Sequence, residues 1–177
     1  MIRLALVSCV LSCLVWVQAQ AEIVFDPTWK IPTYKEVRPQ MMAWLEGGDY
    51  SASKKTTARA NWPTVELRES SGTKLLDRVV ETIVIVDPQC AKFVAVCDTR
   101  AQGPTLPDVS ILEPGNLADF ARNNLSLYYA RWLAQHGLYD EVLETLDGLG
   151  TTDVVDPSSL LFYRMLAHHQ LVQPEKS

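Results

Sequence analysis

The chain has 177 residues, with 16 basic and 21 acidic side chains and a formal net charge of −5. That length suits one ordinary domain with its own core. The acidic balance argues against nucleic acid or an anionic membrane surface as the main partner, since both select basic faces.

The first 21 residues read as a cleaved export signal. Arg3 is a short positive start, Leu4 to Val17 is an apolar run, and Ala19-Gln20-Ala21 is a cleavage site that places the cut before Glu22. The run falls short of the ~20 apolar residues of a spanning helix, so no stable membrane insertion is expected after cleavage. Cys9 and Cys13 lie inside the run and are read as filler rather than as lipid-attachment sites. The chain is therefore expected to be exported, either periplasmic or secreted. Only Arg3 is charged in the removed part, so residues 22–177 carry a net charge of −6. They are expected to form a single helical domain, with N-terminal helices over 22–97, a Pro/Gly-rich loop over 98–117 and further helices over 118–177.

Residues 22–33 carry two prolines and no helical period, and read as an extended arm pinned by Phe25 and Trp29. Thr33 and Glu36 form a T-x-x-E capping box. The helix that follows sets Val37, Met41, Trp44 and Leu45 on one side, with Pro39 as a kink point and Gly47-Gly48 as its stop. Residues 51–63 predict a short polar helix closed by Trp62-Pro63, with Lys54, Lys55 and Arg59 as a solvated face. Residues 64–72 read as a loop. Leu75, Leu76, Val79, Val80, Ile83 and Val86 fit a 3.6-residue period, although their Val/Ile content would also suit a strand.

Asp87-Pro88 reads as an N-cap and first helical position for a helix over 88–97. Seven residues of helix separate Cys90 and Cys97 by about 10.5 Å, beyond the ~7 Å a disulfide spans, so two reduced thiols are expected. Residues 98–116 hold three prolines and two glycines. Leu106, Val109, Ile111 and Leu112 are expected to pack this stretch down, and the main subdomain boundary falls here.

From Ala118 to His136 the pattern is helical, with Leu125, Tyr128, Tyr129, Trp132 and Leu133 on one apolar face. Gly137 can end that helix in the left-handed conformation. Tyr139, Val142, Leu143 and Leu146 then form the apolar face of a second helix, with Asp140 and Glu141 in its first turn. The sequence LSLYYARWLAQH (125–136) returns 34 residues later as SLLFYRMLAHHQ (159–170), opened by Asp156-Pro157.

A 34-residue helix-turn-helix period resembles the tetratricopeptide repeat. The likeness is best at Gly137-Leu138-Tyr139-Asp140-Glu141-Val142, which looks like the family's G-x-Y-x-E-A turn. It departs where the family has W-x2-L-G-x2-Y. Here stand Ser126, Tyr129, Ala130 and Leu133, and in the second copy Leu160, Tyr163, Arg164 and Ala167, with Arg164 in place of a small residue. The chain also resembles the N-terminal part of secreted helical bacterial proteins, a likeness that implies export and a helical fold. Together these imply an all-α fold of helical hairpins, with a tetratricopeptide-like part over 118–173 packed on the N-terminal helices. The repeat family implies a protein partner along the first helix of each pair, a groove that maps to Asn124, Leu127, Arg131, Ser158, Leu161, Met165 and His168.

No catalytic or cofactor motif is present: the chain shows no nucleophile elbow, phosphate loop, H-E-x-x-H or C-x-x-C-H. Adjacent His168 and His169 diverge on a helix and do not share a metal, and His136 suits a helix-end contact. Asp77 and Glu81 share a helix face and read as solubilising charge. Asn124-Leu125-Ser126 fits a glycosylation sequon but falls inside a helix. The aromatic residues Tyr128, Tyr129, Trp132, Phe162 and Tyr163 read as core rather than as a ligand cage. The helix from Pro157 is apolar nearly all round and lacks a following partner helix, so Phe162, Met165 and Leu166 are expected to form an exposed patch that self-associates or binds a protein. The leading expectation is an exported protein–protein interaction module. The alternative is an enzyme or small-ligand carrier with its site between the N-terminal helices and the 98–116 loop.

Overall fold

The computed structural model describes residues 32–62, 72–98 and 106–172, the side chains of 72–74 excepted. The expected export signal, most of the expected N-terminal arm, the expected loop over 64–72 up to residue 71, and residues 99–105 of the Pro/Gly-rich stretch lie outside the described residues. Seven α-helices and no strand occur among the described residues, and the fold is all-α. None of these helices is long and apolar enough to cross a membrane.

Helix α1 spans Tyr34–Gly47 and opens on the expected capping box. The Thr33 hydroxyl accepts from the Glu36 N–H, and the Glu36 carboxylate accepts from the Thr33 N–H at 2.8 Å. Val37, Met41, Trp44 and Leu45 are buried, and Pro39 sits on the exposed side of a helix that continues through it. Gly48 ends α1 in extended rather than left-handed backbone. A side chain there would strike the Tyr50 ring, which packs edge-on against Trp44.

Helix α2 (Ala52–Asn61) buries only Ala58 along its length. Its basic side chains, expected as a solvated face, stay exposed or partly so and also tie helix ends together. Lys54 Nζ donates to the Val86 carbonyl at 2.8 Å, Lys55 Nζ donates to the Glu46 carbonyl, and Arg59 pairs with the Glu46 carboxylate. Cations at helix C-termini meet the partial negative charge of unsatisfied carbonyls. Trp62 then closes α2, nearly fully buried and edge-on to Tyr34.

Helix α3 spans Gly72–Val86, and all six residues of its expected apolar stripe are buried. The helical period, not the β-branched content, decides the element. Thr82 is buried among them because its hydroxyl donates back to the Arg78 carbonyl. Helix α4 spans Cys90–Asp98, two residues later than expected. Asp87 still bonds back to Ile83, and Asp87-Pro88-Gln89 forms a turn, with the Cys90 N–H donating to the Asp87 carbonyl. Cys90 and Cys97 are both free thiols, Cys90 buried and Cys97 partly so.

A 3-10 turn, Val109–Leu112, lies in the described part of the Pro/Gly-rich stretch. Pro107 is buried and Ile111 and Leu112 pack against the core, whereas Leu106 and Val109 point outward, contrary to expectation. One hydrophobic cluster runs from Tyr34 to Ala167, so the core is continuous across this stretch.

Helix α5 (Asp119–Gln135) is the centre of the fold. Helices α3 and α4, the 3-10 turn, α6 (Tyr139–Leu146) and α7 (Pro157–Val172) all pack on it. The expected single apolar face is therefore too narrow: every residue from Asn123 to Ala130 is buried. The hairpin between α5 and α6 forms as expected. Gly137 has φ +74, the Leu138 N–H donates to the Leu133 carbonyl and the Gly137 N–H to the Ala134 carbonyl, the two bonds of a Schellman motif. An added methyl at Gly137 meets nothing within 4 Å, so only backbone strain opposes it. Gly137→Ala is expected to lower stability by about 1 kcal/mol, slightly more at most. A neutral result in chemical denaturation would place Gly137 in ordinary helix and remove the hairpin.

Helix α7 opens as its sequence implies. The Asp156 carboxylate accepts from the Ser159 N–H at 3.0 Å and from its hydroxyl at 2.6 Å. Arg164, out of place for the repeat family, donates to the Leu146 and Leu149 carbonyls and so caps the end of α6. The two sequence copies share a pattern but not an environment. Tyr128 is buried and its counterpart Phe162 is half exposed; Trp132 is buried and its counterpart Leu166 is only partly so.

Candidate functional site

The residues mapped to a partner groove do not form one open surface. Asn124 and Leu127 have no exposed area at all, because α3, α4, α6 and α7 wrap the helix that carries them. Arg131 is largely buried and occupied by an ion pair. Ser158 and Leu161 are partly buried, and only Met165 and His168 are exposed. The sequon at Asn124 is likewise inside the core, with its amide committed to backbone groups.

Among the described residues, an apolar strip and two spaces between helices are open to solvent. The first is the outer side of α7. Phe162 is 50% exposed, Met165 64% and Val172 80%. Spaced three and seven apart, they fall along one side of the helix with His169 between them. Leu166 belongs to the inner side and packs against the core, so the expected patch shifts from Leu166 toward Val172. Leu160 and Ala167, on the opposite side, are fully buried.

The second is a cavity of about 590 Å³ between the end of α2, the outer side of α3, and α4 and α5. Its polar wall is a chain of contacts. Asp77 and Arg131 form an ion pair at 2.7 Å, the Arg131 guanidinium lies over the Tyr128 ring at 4.4 Å, and the Tyr128 hydroxyl donates to the Asp98 carboxylate. Its apolar wall is Val80, Val84, Ile85 and Val94. A smaller space of about 410 Å³ lies under the 3-10 turn, lined by Val109, Leu112, Glu113, Tyr129 and the α6 carboxylates Glu141 and Glu144. The larger cavity meets the 98–116 stretch at Asp98, and the smaller one meets it at Val109, Leu112 and Glu113.

Burial sets the electrostatics of the larger cavity. Burial first, then the bond to Asp98, raises the Tyr128 phenol well above its ordinary range, so it stays a donor. Burial opposes the Arg131 charge, but Asp77 chiefly, with Tyr128 and Tyr163, more than offsets it and holds the guanidinium ionised. Burial and the neighbouring Asp98 push the Cys97 thiol up to about 12, against the pull of Arg131, and burial and Asp87 do the same for Cys90. Neither thiol is an activated nucleophile.

Asp77 and Glu81, read as solubilising charge, both line this cavity, Asp77 paired to Arg131 and Glu81 to Arg78. The aromatic residues do not gather into a cage. Tyr129 stacks on Trp132 and meets Phe93 edge-on inside the core, while Phe162 lies outside. His136 makes the helix-end contact expected of it, bonding the Trp132 carbonyl at 2.8 Å. No group of His, Cys, Asp and Glu among the described residues is arranged to hold a metal ion. Compared with protein-family models, with curated proteins and with solved structures, the chain matches none.

Proposed function

We propose that the chain is an exported helical interaction module that pairs with a second copy of itself through the outer side of α7. The observation that carries this reading is the exposed strip of Phe162, Met165 and Val172 on a helix whose inner side is fully committed to the core. Large apolar side chains in a row are costly to leave in water and mark docking surfaces. A second copy fits the charge pattern. Helix α7 carries no carboxylate, and its only basic groups are Arg164, spent on α6 carbonyls, and His168 and His169. A two-fold pairing of α7 with itself brings apolar side chains together without setting one carboxylate against another. The tetratricopeptide resemblance supports the broader class, and the pattern of residues 1–21 supports export.

The size of the strip sets the strength. A 16-residue helix is about 24 Å long and about 10 Å wide, well short of the ~800 Å² per partner of a stable interface. The pairing is therefore weak and belongs to the ~100 μM range and above. Light scattering across that range should show the wild type growing toward a dimer and Phe162→Asp/Met165→Asp staying monomeric. Both positions are exposed, so the variant keeps its fold. A wild type that remains monomeric throughout, or a variant that dimerises equally, overturns the reading.

A further inference from the structure

We propose that the cavity between α3, α4 and α5 binds an organic cation with an apolar body, such as an alkylammonium ion. The site is independent of the α7 strip and of any self-association through it. Its volume of about 590 Å³ suits a small molecule, since ligand sites span roughly 300–1,000 Å³.

The charge of the ligand follows from what surrounds the space. Asp77, Glu81 and Asp98 face it, with Arg131 as the one cation among its described lining residues. Arg131 is already neutralised by Asp77 at 2.7 Å, and one face of its guanidinium is covered by the Tyr128 ring. Glu81 is likewise paired, with Arg78 at 2.8 Å. That leaves Asp98, at the exposed end of α4, as a carboxylate whose partner among the described residues is a neutral phenol. The Tyr128 hydroxyl, held by a ring that is itself buried, fixes the orientation of that carboxylate. Backbone electrostatics point the same way. Asn61 and Asp98 are the last residues of α2 and α4, and both line the cavity, so two helix C-termini contribute partial negative charge to one space.

The apolar body follows from α3. This helix buries a full stripe of Leu, Val and Ile against the core, yet Val84 and Ile85 lie off that stripe and remain partly open. Val94 of α4 faces the same space. A helix apolar beyond its core face calls for cover on the second side as well. A short alkyl chain laid across Val84, Ile85 and Val94 supplies it, with the charged head toward Asp98.

Isothermal titration of the protein with hexylammonium and with hexanoate separates the head group from the chain. Hexylammonium should bind at least about tenfold more tightly than hexanoate, and methylammonium about tenfold more weakly than hexylammonium. Asp98→Asn/Glu81→Gln should erase the preference for the cation, whereas Asp140→Asn on α6 should leave it intact. Circular dichroism confirms that these surface variants stay folded. Tighter binding of hexanoate would make Arg131 the recognising group and overturn the proposal. So would a preference that survives the double substitution, or the absence of binding heat with hexylammonium at millimolar concentration.

Discussion

Leu127→Ala is expected to destabilise the protein by about 3 kcal/mol, within the 2–5 kcal/mol range of leucine truncations at sites that cannot collapse. Leu127 is fully buried at the middle of α5, the helix on which most of the others pack. Removing three carbons there loses their transfer energy and leaves a void between helices that are each held by their own contacts. If Leu127 instead lined a partner groove, its truncation would cost the free protein less than about 0.5 kcal/mol, as at ordinary surface positions. Urea denaturation of the free protein distinguishes the two. A loss below about 1 kcal/mol would return Leu127 to the surface and reopen the groove that the repeat resemblance implies.

The residues around Leu127 show where the sequence is legible and where it is not. Helix ends are local, and their chemistry is written in adjacent residues. The Thr33–Glu36 box, the Asp156 cap and the left-handed Gly137 all lie where the sequence puts them. Stripes are also local, so α3 is readable despite its β-branched residues. What periodicity cannot report is how many neighbours a helix acquires. Asn123, Asn124 and Ser126 make α5 look polar on one side, and the one-sided reading follows naturally. Those polar residues are buried all the same, because α5 is surrounded.

The reverse holds for α7. Its residues copy α5 closely, and by pattern alone it looks the more apolar of the two. It lies at the periphery, with α5 and α6 on its inner side, so the same types of side chain end in solvent. The cavity was equally hidden. Asp77, Asp98 and Arg131 come from three helices and meet only through the packing of α3 and α4 on α5. The basic residues of α2 teach the same lesson. A Lys-Lys-x3-Arg run carries no mark that says whether its charges reach water or the C-terminal carbonyls of neighbouring helices.

Asn124 carries the second large expected effect. Its amide nitrogen donates to the Phe120 carbonyl at 2.7 Å, and its Oδ1 accepts from the Val155 N–H at 2.9 Å. That second bond joins α5 to the segment leading into α7, inside the core, with Val154, Val155 and Asp156 all buried around it. Asn124→Ala removes both bonds and leaves the Val155 N–H without its partner, away from water. An orphaned buried backbone group costs about 1–3 kcal/mol, and the void adds to it, so a total near 3 kcal/mol is expected. Asn124→Asp tests the same geometry through pH. An ionised carboxylate can still accept from Val155, but its other oxygen then opposes the Phe120 carbonyl. Burial raises the carboxyl's folded-state pKa above its unfolded value of about 3.9, so the variant loses stability as pH rises through that range. Below it, the protonated carboxyl donates to Phe120 and restores the asparagine pattern. Relative to wild type, Asn124→Asp should therefore be nearly neutral close to pH 4 and strongly destabilising at pH 7. A pH-independent difference between the two in chemical denaturation would mean that the side chain reaches water, and that α7 is joined to α5 by apolar contact alone.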